Sequence, residues 1–291
     1  MVGLENELII AQITDIHIGF DKHPDGIELN EKRFQASLSY LKNLPQAPDF
    51  LFLTGDITES GDADSYRKVI ANLENAPFKI FPLIGNHDNR EEFRKAFPSC
   101  PNAGEYVQYT VEKAGLRVIV LDTHEPGLHG GAFCKDRQKW LKLQLQSHPS
   151  CPTIIFMHHP PILSGIDWMD PVDDENWIRS FAEIIEGHNQ ILAINCGHLH
   201  RQLFTNFKGI PLLVSGSIAP ALTLDFEKVD PEKPDGRNLV SEEPPMVTLH
   251  RWKDGVFTSH CQPIGEWQTL ANYDTKLQPM MRVIFKEKNF N

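Results

Sequence analysis

The sequence predicts an α/β fold. Over the first two thirds of the 291 residues, six short apolar runs of strand length alternate with amphipathic stretches, a pattern typical of buried strands with helices packed on them. Past about residue 204 the helical signal fades and three further β-like runs follow. We expect these later runs to complete a second sheet.

The strand candidates are continuous apolar runs, so we expect most of these strands to be buried on both faces. In chain order the six runs are residues 7–13, 49–54, 78–84, 117–122, 152–157 and 190–196, and the three later ones are residues 210–216, 245–252 and 256–261. Apolar residues make up 41% of the chain, enough for a sizeable core.

Helices are predicted between the strands from apolar residues at helical spacing. Phe34, Leu38 and Leu41 define the first, and residues 66–73 the second. A short helix is expected to begin near Arg90. Two more are predicted over residues 136–146 and 176–186.

The end of the chain is organised differently. Residues 225–245 carry seven acidic groups, three basic groups and four prolines, which predicts a long surface loop that could form the rim of a pocket. Residues 263–291 contain apolar and aromatic residues without a clear period, so the sequence leaves open whether they form a packed tail or an oligomer contact. We expect residues 1–262 to form one domain and residues 263–291 a short C-terminal extension.

Charge and composition exclude several classes of protein. The chain has 28 Lys and Arg against 39 Asp and Glu, a formal net charge of −11, which has the wrong sign for a protein that binds a nucleic acid polymer. Its apolar runs fall far short of the roughly 20 residues of a membrane helix, so no membrane partner is expected. The first residues show no basic segment of a signal peptide. The five cysteines form no CxxC pair, which favours reduced thiols and a cytoplasmic location.

Side chains that bind metals recur where the predicted strands end. They are Asp15 and His17 after the first strand, Asp56 after the second, Asn86, His87 and Asp88 after the third, His158 and His159 after residues 152–157, and His198 and His200 after residues 190–196. Strand ends are where α/β folds place ligands. Taken singly, an Asp or a His here is more often a turn or capping residue. Their succession at five strand ends predicts a metal site.

These motifs, DxH, GD, GNHD, HHPP and GHLH, resemble those of the calcineurin-like metallophosphoesterases and occur in the same order over residues 15–200. The blocks TIIFMHHPPILSGIDWMDPVDDEN and NCGHLH are most similar to those of small bacterial phosphodiesterases that act on glycerophosphodiesters or 3',5'-cyclic nucleotides. The resemblance implies a two-sheet β-sandwich flanked by helices, classed as α/β or α+β, with residues 1–262 as the catalytic domain.

The resemblance also implies roles for individual residues. One metal would be held by Asp15, His17 and His200 and the other by Asn86, His158 and His198, with Asp56 bridging the two. His158 is preferred to His159 because the family ligand lies two residues before the proline, which leaves His159 near the substrate or at the rim. His87 would face the substrate phosphate beside Asn86, and stabilise charge or protonate the leaving alkoxide. Asp88 would orient His87 or cap the following helix.

The implied activity is hydrolysis of a small phosphodiester by in-line attack of a hydroxide shared between two divalent ions. Nitrogen and oxygen donors without cysteine would accept Fe, Mn, Zn or Co. Relatives suggest a homo-oligomer. A phosphomonoesterase, including a protein phosphatase, is disfavoured because residues 55–61 lack the arginine of Ser/Thr phosphatases, and a non-catalytic scaffold because no ligand is lost. Substrate choice is expected to depend on three rim segments, residues 19–30, 162–175 and 225–245.

Overall fold

The computed structural model describes residues 7–20, 28–172 and 175–288. Four stretches named in the sequence predictions lie outside the described residues. They are the first six residues, residues 21–27 of an expected rim segment, residues 173–174 of the HHPP block and residues 289–291 of the C-terminal extension.

The described residues form strands and helices in an alternating order. The strands are β1 (Glu7–Ile13), β2 (Phe50–Thr54), β3 (Lys79–Leu83), β4 (Tyr109–Lys113), β5 (Leu116–Leu121), β6 (Thr153–Met157), β7 (Ile191–Cys196), β8 (Leu203–Phe207), β9 (Ile210–Val214), β10 (Ala221–Leu222), β11 (Val240–Ser241), β12 (Met246–Lys253) and β13 (Val256–Pro263). The helices are α1 (Leu29–Lys42), α2 (Ala63–Leu73), α3 (Arg90–Ala96), α4 (Lys135–Ser147), α5 (Asn176–Ile185) and α6 (Gln278–Lys288).

Two large sheets make up the body of the fold. One has five strands in the order β13-β12-β1-β2-β3, and the other has six in the order β4-β5-β6-β7-β9-β8. Within each sheet the central strands run parallel, β1 to β3 in the first and β5 to β7 and β9 in the second. Because parallel strands end at the same edge, each sheet gathers the loops that carry its polar motifs.

The assignment of strands to sheets corrects one sequence prediction. Of the three later runs that were expected to complete a second sheet, β9 does join the six-stranded sheet beside β7, whereas β12 and β13 extend the five-stranded sheet from β1. Strands β4 and β8, which the sequence analysis did not predict, are the antiparallel edges of the six-stranded sheet. Each is half exposed and carries polar residues, so neither reads as a continuous apolar run.

The core explains why the central strands are apolar on both faces. Alternate residues of β5 enter different clusters, since Val118 and Val120 join the residues of β1 to β3 between the sheets, whereas Ile119 and Leu121 pack with residues of α4 and α5. The second sheet is therefore covered by the first sheet on one face and by helices on the other. The expected α/β sandwich flanked by helices is confirmed.

The later segments are more exposed. The acidic segment, residues 225–245, was expected as a loop but contains β11, which pairs with β10 through Leu222 and Val240. The C-terminal extension contains α6, a helix with no buried residue. None of the described helices has the length and hydropathy needed to cross a membrane, and all five cysteines are free thiols.

Candidate metal centre

The loops after the strands hold their polar residues in an unusual backbone conformation. Asp15, His17, Asp56, His198 and His200 all have positive φ, between 47° and 72°. Non-glycine residues rarely adopt this conformation, and it concentrates at functional sites where the surrounding structure enforces it. Five such residues in three strand-end loops indicate that these loops are shaped for the positions of their side chains.

Two glycines allow these loops to approach one another. A Cβ atom on Gly85 would lie 2.3 Å from the backbone nitrogen of Asp56, and one on Gly197 would lie 2.0 Å from the Oγ1 of Thr14. Neither position has space for a side chain. The loops after β1, β2, β3 and β7 therefore meet at contact distance.

The first donor group consists of Asp15, His17 and His200, whose ligand atoms lie within 4.8 Å of one another. The Nε2 atoms of His17 and His200 are 3.0 Å apart, and the Nε2 of His200 is 3.5 Å from Asp15 Oδ1. The Nδ1 of His200 lies 2.9 Å from the carbonyl oxygen of Pro220, which fixes the ring with its Nε2 towards the group. This donor set fits one divalent cation.

The second donor group consists of His158, His159 and His198, with Asn86 beside them. Asn86 Oδ1 lies 3.2 Å from the Nε2 of His158 and 3.1 Å from that of His159. The Nδ1 of His158 is 2.9 Å from the carbonyl oxygen of Thr54. Both adjacent histidines are buried, so His159 does not lie at the rim but beside His158 at the same amide.

Asp56 lies between the two groups. Its Oδ2 is 3.2 Å from the Nε2 of His158 and 3.6 Å from the Nε2 of His17. Its Oδ1 accepts a hydrogen bond of 2.8 Å from the backbone N–H of His87, which holds the carboxylate in place. The same carboxylate can therefore serve a cation in either group.

Burial and charge act together on the ionisation of these side chains. Burial alone would raise the pKa of Asp56, but the histidines around it, His158 first, hold the pKa well below its ordinary value. Conversely, burial would lower the pKa of His158, whereas the carboxylates of Asp56 and Asp15 raise it to about 9. His158 is therefore protonated near neutral pH in the metal-free chain. Its positive charge lies where a bound cation would also be stabilised by the carboxylates.

The other histidines of the second donor group behave differently. Burial and the neighbouring positive charge of His158 keep the pKa of His159 well below its ordinary value. Burial likewise lowers the pKa of His198, and His159 adds to the effect. Both rings are neutral near pH 7, the state in which imidazole binds a metal.

His87 and Asp88 of the GNHD motif face in different directions. The Nδ1 of His87 lies 2.9 Å from the carbonyl oxygen of Glu59, so its Nε2 is the nitrogen available to the cavity. Asp88 does not cap α3, and its carboxylate instead accepts hydrogen bonds from the backbone of Ile57 and of Gly85, among others. The helix is capped by Asn89, which accepts hydrogen bonds from the first turn. Asp88 thus ties the loop after β2 to the loop after β3.

Glu59 is a functional residue that the sequence analysis missed. Its Oε2 lies 2.7 Å from the Nδ1 of His17 and 3.6 Å from the Nδ1 of His87. Burial would lower the pKa of His17, but the contact with Glu59 and the nearby aspartates raise it. Glu59 follows the GD motif by three residues, and that proximity is the only sequence signal that could have identified it.

The two histidines after β5 have separate positions. The Nδ1 of His129 lies 3.3 Å from the amide nitrogen of Asn86, and His129 lines the same cavity as His87. His124 is buried beside a different cavity, with Asp88 and Arg90. Of these two histidines, His129 is therefore the one that lines the cavity beside the donor groups.

A cavity of about 320 Å³ opens over the donor groups. Its lining includes His17, Asp56, His87 and His198 together with aromatic and aliphatic residues. The cavity can therefore hold an anion at its polar residues and a further chemical group at its apolar residues.

The family model of the calcineurin-like phosphoesterases matches residues 8–202, well over half of the chain. The chain belongs to the calcineurin-like phosphoesterase family. This assignment confirms the resemblance read from the five motifs, all of which lie within the matched residues.

Two curated relatives extend the match over nearly the whole chain. The probable glycerophosphodiester phosphodiesterase GpdQ of Arcobacter nitrofigilis is 30% identical over 270 residues, which cover 90% of this chain and 95% of the relative. The 3',5'-cyclic adenosine monophosphate phosphodiesterase CpdA of Vibrio vulnificus is 28% identical over 274 residues, 92% of this chain and 94% of the relative. Both relatives are named as phosphodiesterases.

Among solved structures, a dimetal phosphatase from Danio rerio superposes with a TM-score of 0.60 over 89% of this chain and 99% of its own. The two sequences are 13% identical, so the likeness concerns the fold. It agrees with the sandwich of two sheets described above.

Proposed function

We propose that this calcineurin-like phosphoesterase is a dinuclear metal-dependent phosphodiesterase that acts on small phosphodiesters, namely glycerophosphodiesters or 3',5'-cyclic nucleotides. The observation that carries the proposal is the position of Asp56, whose Oδ2 lies within 3.6 Å of a histidine from each donor group. The names of the relatives support a diester as the substrate.

The proposed ligand sets follow the two donor groups, except that Asn86 takes the place of His159 in the second. Asp15, His17 and His200 would hold one ion and Asn86, His158 and His198 the other, with Asp56 common to both. The donors are imidazole nitrogens and carboxylate or amide oxygens, which suit Fe, Mn, Zn or Co. When bound, two such ions would supply positive charge for the phosphoryl oxygens and lower the pKa of a water molecule.

The protein side chains would bind and orient the substrate. The ligand sets contain two carboxylates, Asp15 and Asp56, so two divalent ions leave an excess of positive charge for one phosphodiester anion. The Nε2 of His87, held towards the cavity through its Nδ1, would donate a hydrogen bond to the phosphoryl oxygens or a proton to the leaving alkoxide. Asn86, a member of the second ligand set, and His159 beside it would contact the same phosphate.

The proposal extends to the cellular setting. We place the enzyme in the cytoplasm because its five cysteines are free thiols, and we expect a small soluble diester as its partner in the reaction. The exposed apolar residues of the C-terminal extension, including Trp267 and Phe285, are a candidate contact for a homo-oligomer, with residues 1–262 as the catalytic domain.

A panel of substrates tests the function. Protein reconstituted with Mn²⁺ would be assayed on cyclic AMP, a glycerophosphodiester, bis(p-nitrophenyl) phosphate and p-nitrophenyl phosphate. The proposal requires the diesters to be hydrolysed faster than the monoester. A preference for the monoester would identify a phosphomonoesterase instead, and full activity of Asp56→Asn would indicate that the metal site is not used for catalysis.

A further inference from the structure

Asn30 places an unpaired acceptor at the candidate site. Its side chain is only 2% exposed, and its amide nitrogen donates a hydrogen bond of 3.1 Å to the carbonyl oxygen of His17. That contact distinguishes the amide nitrogen of Asn30 from its oxygen. The oxygen, Oδ1, has no hydrogen-bond partner in the part of the chain that the structure describes. Asn30 lines the cavity over the donor groups. A buried acceptor of this kind is satisfied when a ligand donates to it.

Apolar side chains line the same cavity as the donor groups. We define the apolar wall as Phe20, Trp168, Met169, Leu222 and Val240. Phe20 is 64% exposed, Trp168 37% and Val240 54%. Large apolar side chains that remain exposed around a cavity commonly mark a binding surface.

The wall is held in place by the fold on both of its sides. Trp168 lies in a turn whose neighbours Ile166 and Met169 are buried in the second core cluster. The carboxylate of Asp170 closes the turn by accepting hydrogen bonds from the backbone of Ser164 and Gly165. The indole is therefore presented by an ordered segment, which lowers the entropic cost of stacking a ligand on it.

The other side of the wall comes from the acidic segment. Leu222 of β10 and Val240 of β11 are cross-strand partners. The acidic segment also contacts the turn of Trp168, because the backbone N–H of Val229 donates a hydrogen bond of 2.9 Å to Asp167 Oδ2. The two sides of the wall are thus connected to each other outside the cavity.

We infer that this cavity selects phosphodiesters whose alcohol is a nucleoside, with its base on the apolar wall and a hydroxyl or amino group donating to Asn30. The inference rests on the proposed function and chooses between its two substrate types. A base would cover the wall with a flat apolar face. A glycerol group would bring hydroxyls against the wall, where the indole N–H of Trp168 is the one strong side-chain hydrogen-bonding group among the five residues and none offers an oxygen acceptor in exchange for water.

The first test varies the wall in the Mn²⁺-loaded enzyme. The ratio of kcat/KM for 3',5'-cyclic AMP to that for glycerophosphoethanolamine is expected to be well above one. Trp168→Ala should lower this ratio roughly tenfold, the scale of losing one base-stacking contact, mainly through a higher KM for the nucleotide. Trp168→Phe should restore most of it. Phe204→Ala, at an exposed aromatic residue of β8 that does not line the cavity, is the matched control and should leave the ratio unchanged.

The second test varies Asn30 and measures the same ratio. Asn30 also contacts the backbone of His17, so a change in metal binding would affect both substrates alike and cancel in the ratio. Asn30→Ala is expected to lower the ratio several-fold. An equal fall in kcat/KM for both diesters would show that Asn30 does not contribute to the selectivity.

Binding of reaction products gives a readout that does not depend on turnover. By calorimetry on the Mn²⁺-loaded protein, adenosine monophosphate should bind more tightly than glycerol 3-phosphate, and Trp168→Ala should abolish the difference. Faster hydrolysis of glycerophosphoethanolamine than of cyclic AMP, or an unchanged ratio in Trp168→Ala, would overturn the inference and leave the proposed function intact. No hydrolysis of either diester would overturn both.

Discussion

The Oε2 atom of Glu59 lies 2.7 Å from the Nδ1 of His17, and Glu59 belongs to the loop after β2 whereas His17 belongs to the loop after β1. A carboxylate behind a metal-binding imidazole fixes the ring and its tautomer and makes the other nitrogen a better donor. Glu59 therefore acts on the first donor group without belonging to it.

Replacing Glu59 by glutamine should weaken metal binding. Contacts of this kind behind a metal ligand are worth roughly 10- to 100-fold in affinity. We therefore expect the Kd of the first donor group for Mn²⁺ or Zn²⁺ to rise by about that factor in Glu59→Gln. Metal titration by calorimetry measures it. Glu91→Gln, at a carboxylate that is 78% exposed, is the control. Unchanged affinity in Glu59→Gln would show that the contact does not support the metal.

His87→Ala should lower kcat while keeping the metals. The expected loss is roughly 10², the scale of a positioned acid or charge-stabilising group. His148→Ala, at an exposed histidine that belongs to neither donor group, serves for comparison. The measurement is turnover of a diester with a poor leaving group, together with metal content by mass spectrometry. Normal turnover, or loss of metal, would contradict the assigned role.

Asn86→Ala should affect the two ions unequally. Its Oδ1 lies 3.2 Å from the Nε2 of His158 in the second donor group, so the ion of that group should bind roughly tenfold or more weakly while the other is retained. A two-phase metal titration separates the sites, with Asn43→Ala at the exposed end of α1 as the control. Equal weakening of both phases would count against the proposed ligand sets.

Metal affinity should depend on pH through His158. The carboxylates of Asp56 and Asp15 outweigh burial and raise its pKa to about 9 in the metal-free protein, so a cation must displace a proton to bind at neutral pH. This group makes Mn²⁺ affinity rise by about tenfold per pH unit over the range from about 7 to about 9. Proton release, measured by calorimetry in two buffers of different ionisation enthalpy, checks this directly. Affinity that is independent of pH would refute it.

Because of His158, the stability of the metal-free protein should fall as the pH rises, whereas its metal affinity should rise. A histidine whose pKa is raised by folding stabilises the protein fully below its unfolded value of about 6.5. That contribution is lost as the pH rises through about 9. The free energy of unfolding from urea titrations, with and without Mn²⁺, should therefore show opposite trends with pH.

Sequence alone was sufficient to place the candidate ligands. Asp15 and Asp56 are far apart in the chain, but both follow parallel strands of the five-stranded sheet, and the ends of parallel strands meet at one edge of their sheet. His158 follows a parallel strand of the other sheet, and the packing of the two sheets brings it to Asp56. A run of apolar residues followed by a metal-binding side chain therefore indicates which side chains lie close together in the folded protein.

The sequence could not reveal contacts that depend on how two loops meet. Glu59 and His17 are 42 residues apart, and no local pattern links them. Asp88 looked like a helix cap because it precedes α3, yet burial and the hydrogen bonds from Ile57 and Gly85 turn it towards the loop after β2. The unpaired Oδ1 of Asn30 likewise depends on packing that local sequence patterns do not show.

The central claim is that two metal ions held by these side chains hydrolyse a phosphodiester. The most direct measurement is metal content per chain together with activity on bis(p-nitrophenyl) phosphate, as metal is removed by chelation and returned as Mn²⁺. We expect two ions per chain, loss of activity on chelation, and recovery of activity only as the second equivalent of Mn²⁺ binds. Full activity in metal-free protein, or saturation of activity at one ion per chain, would contradict it.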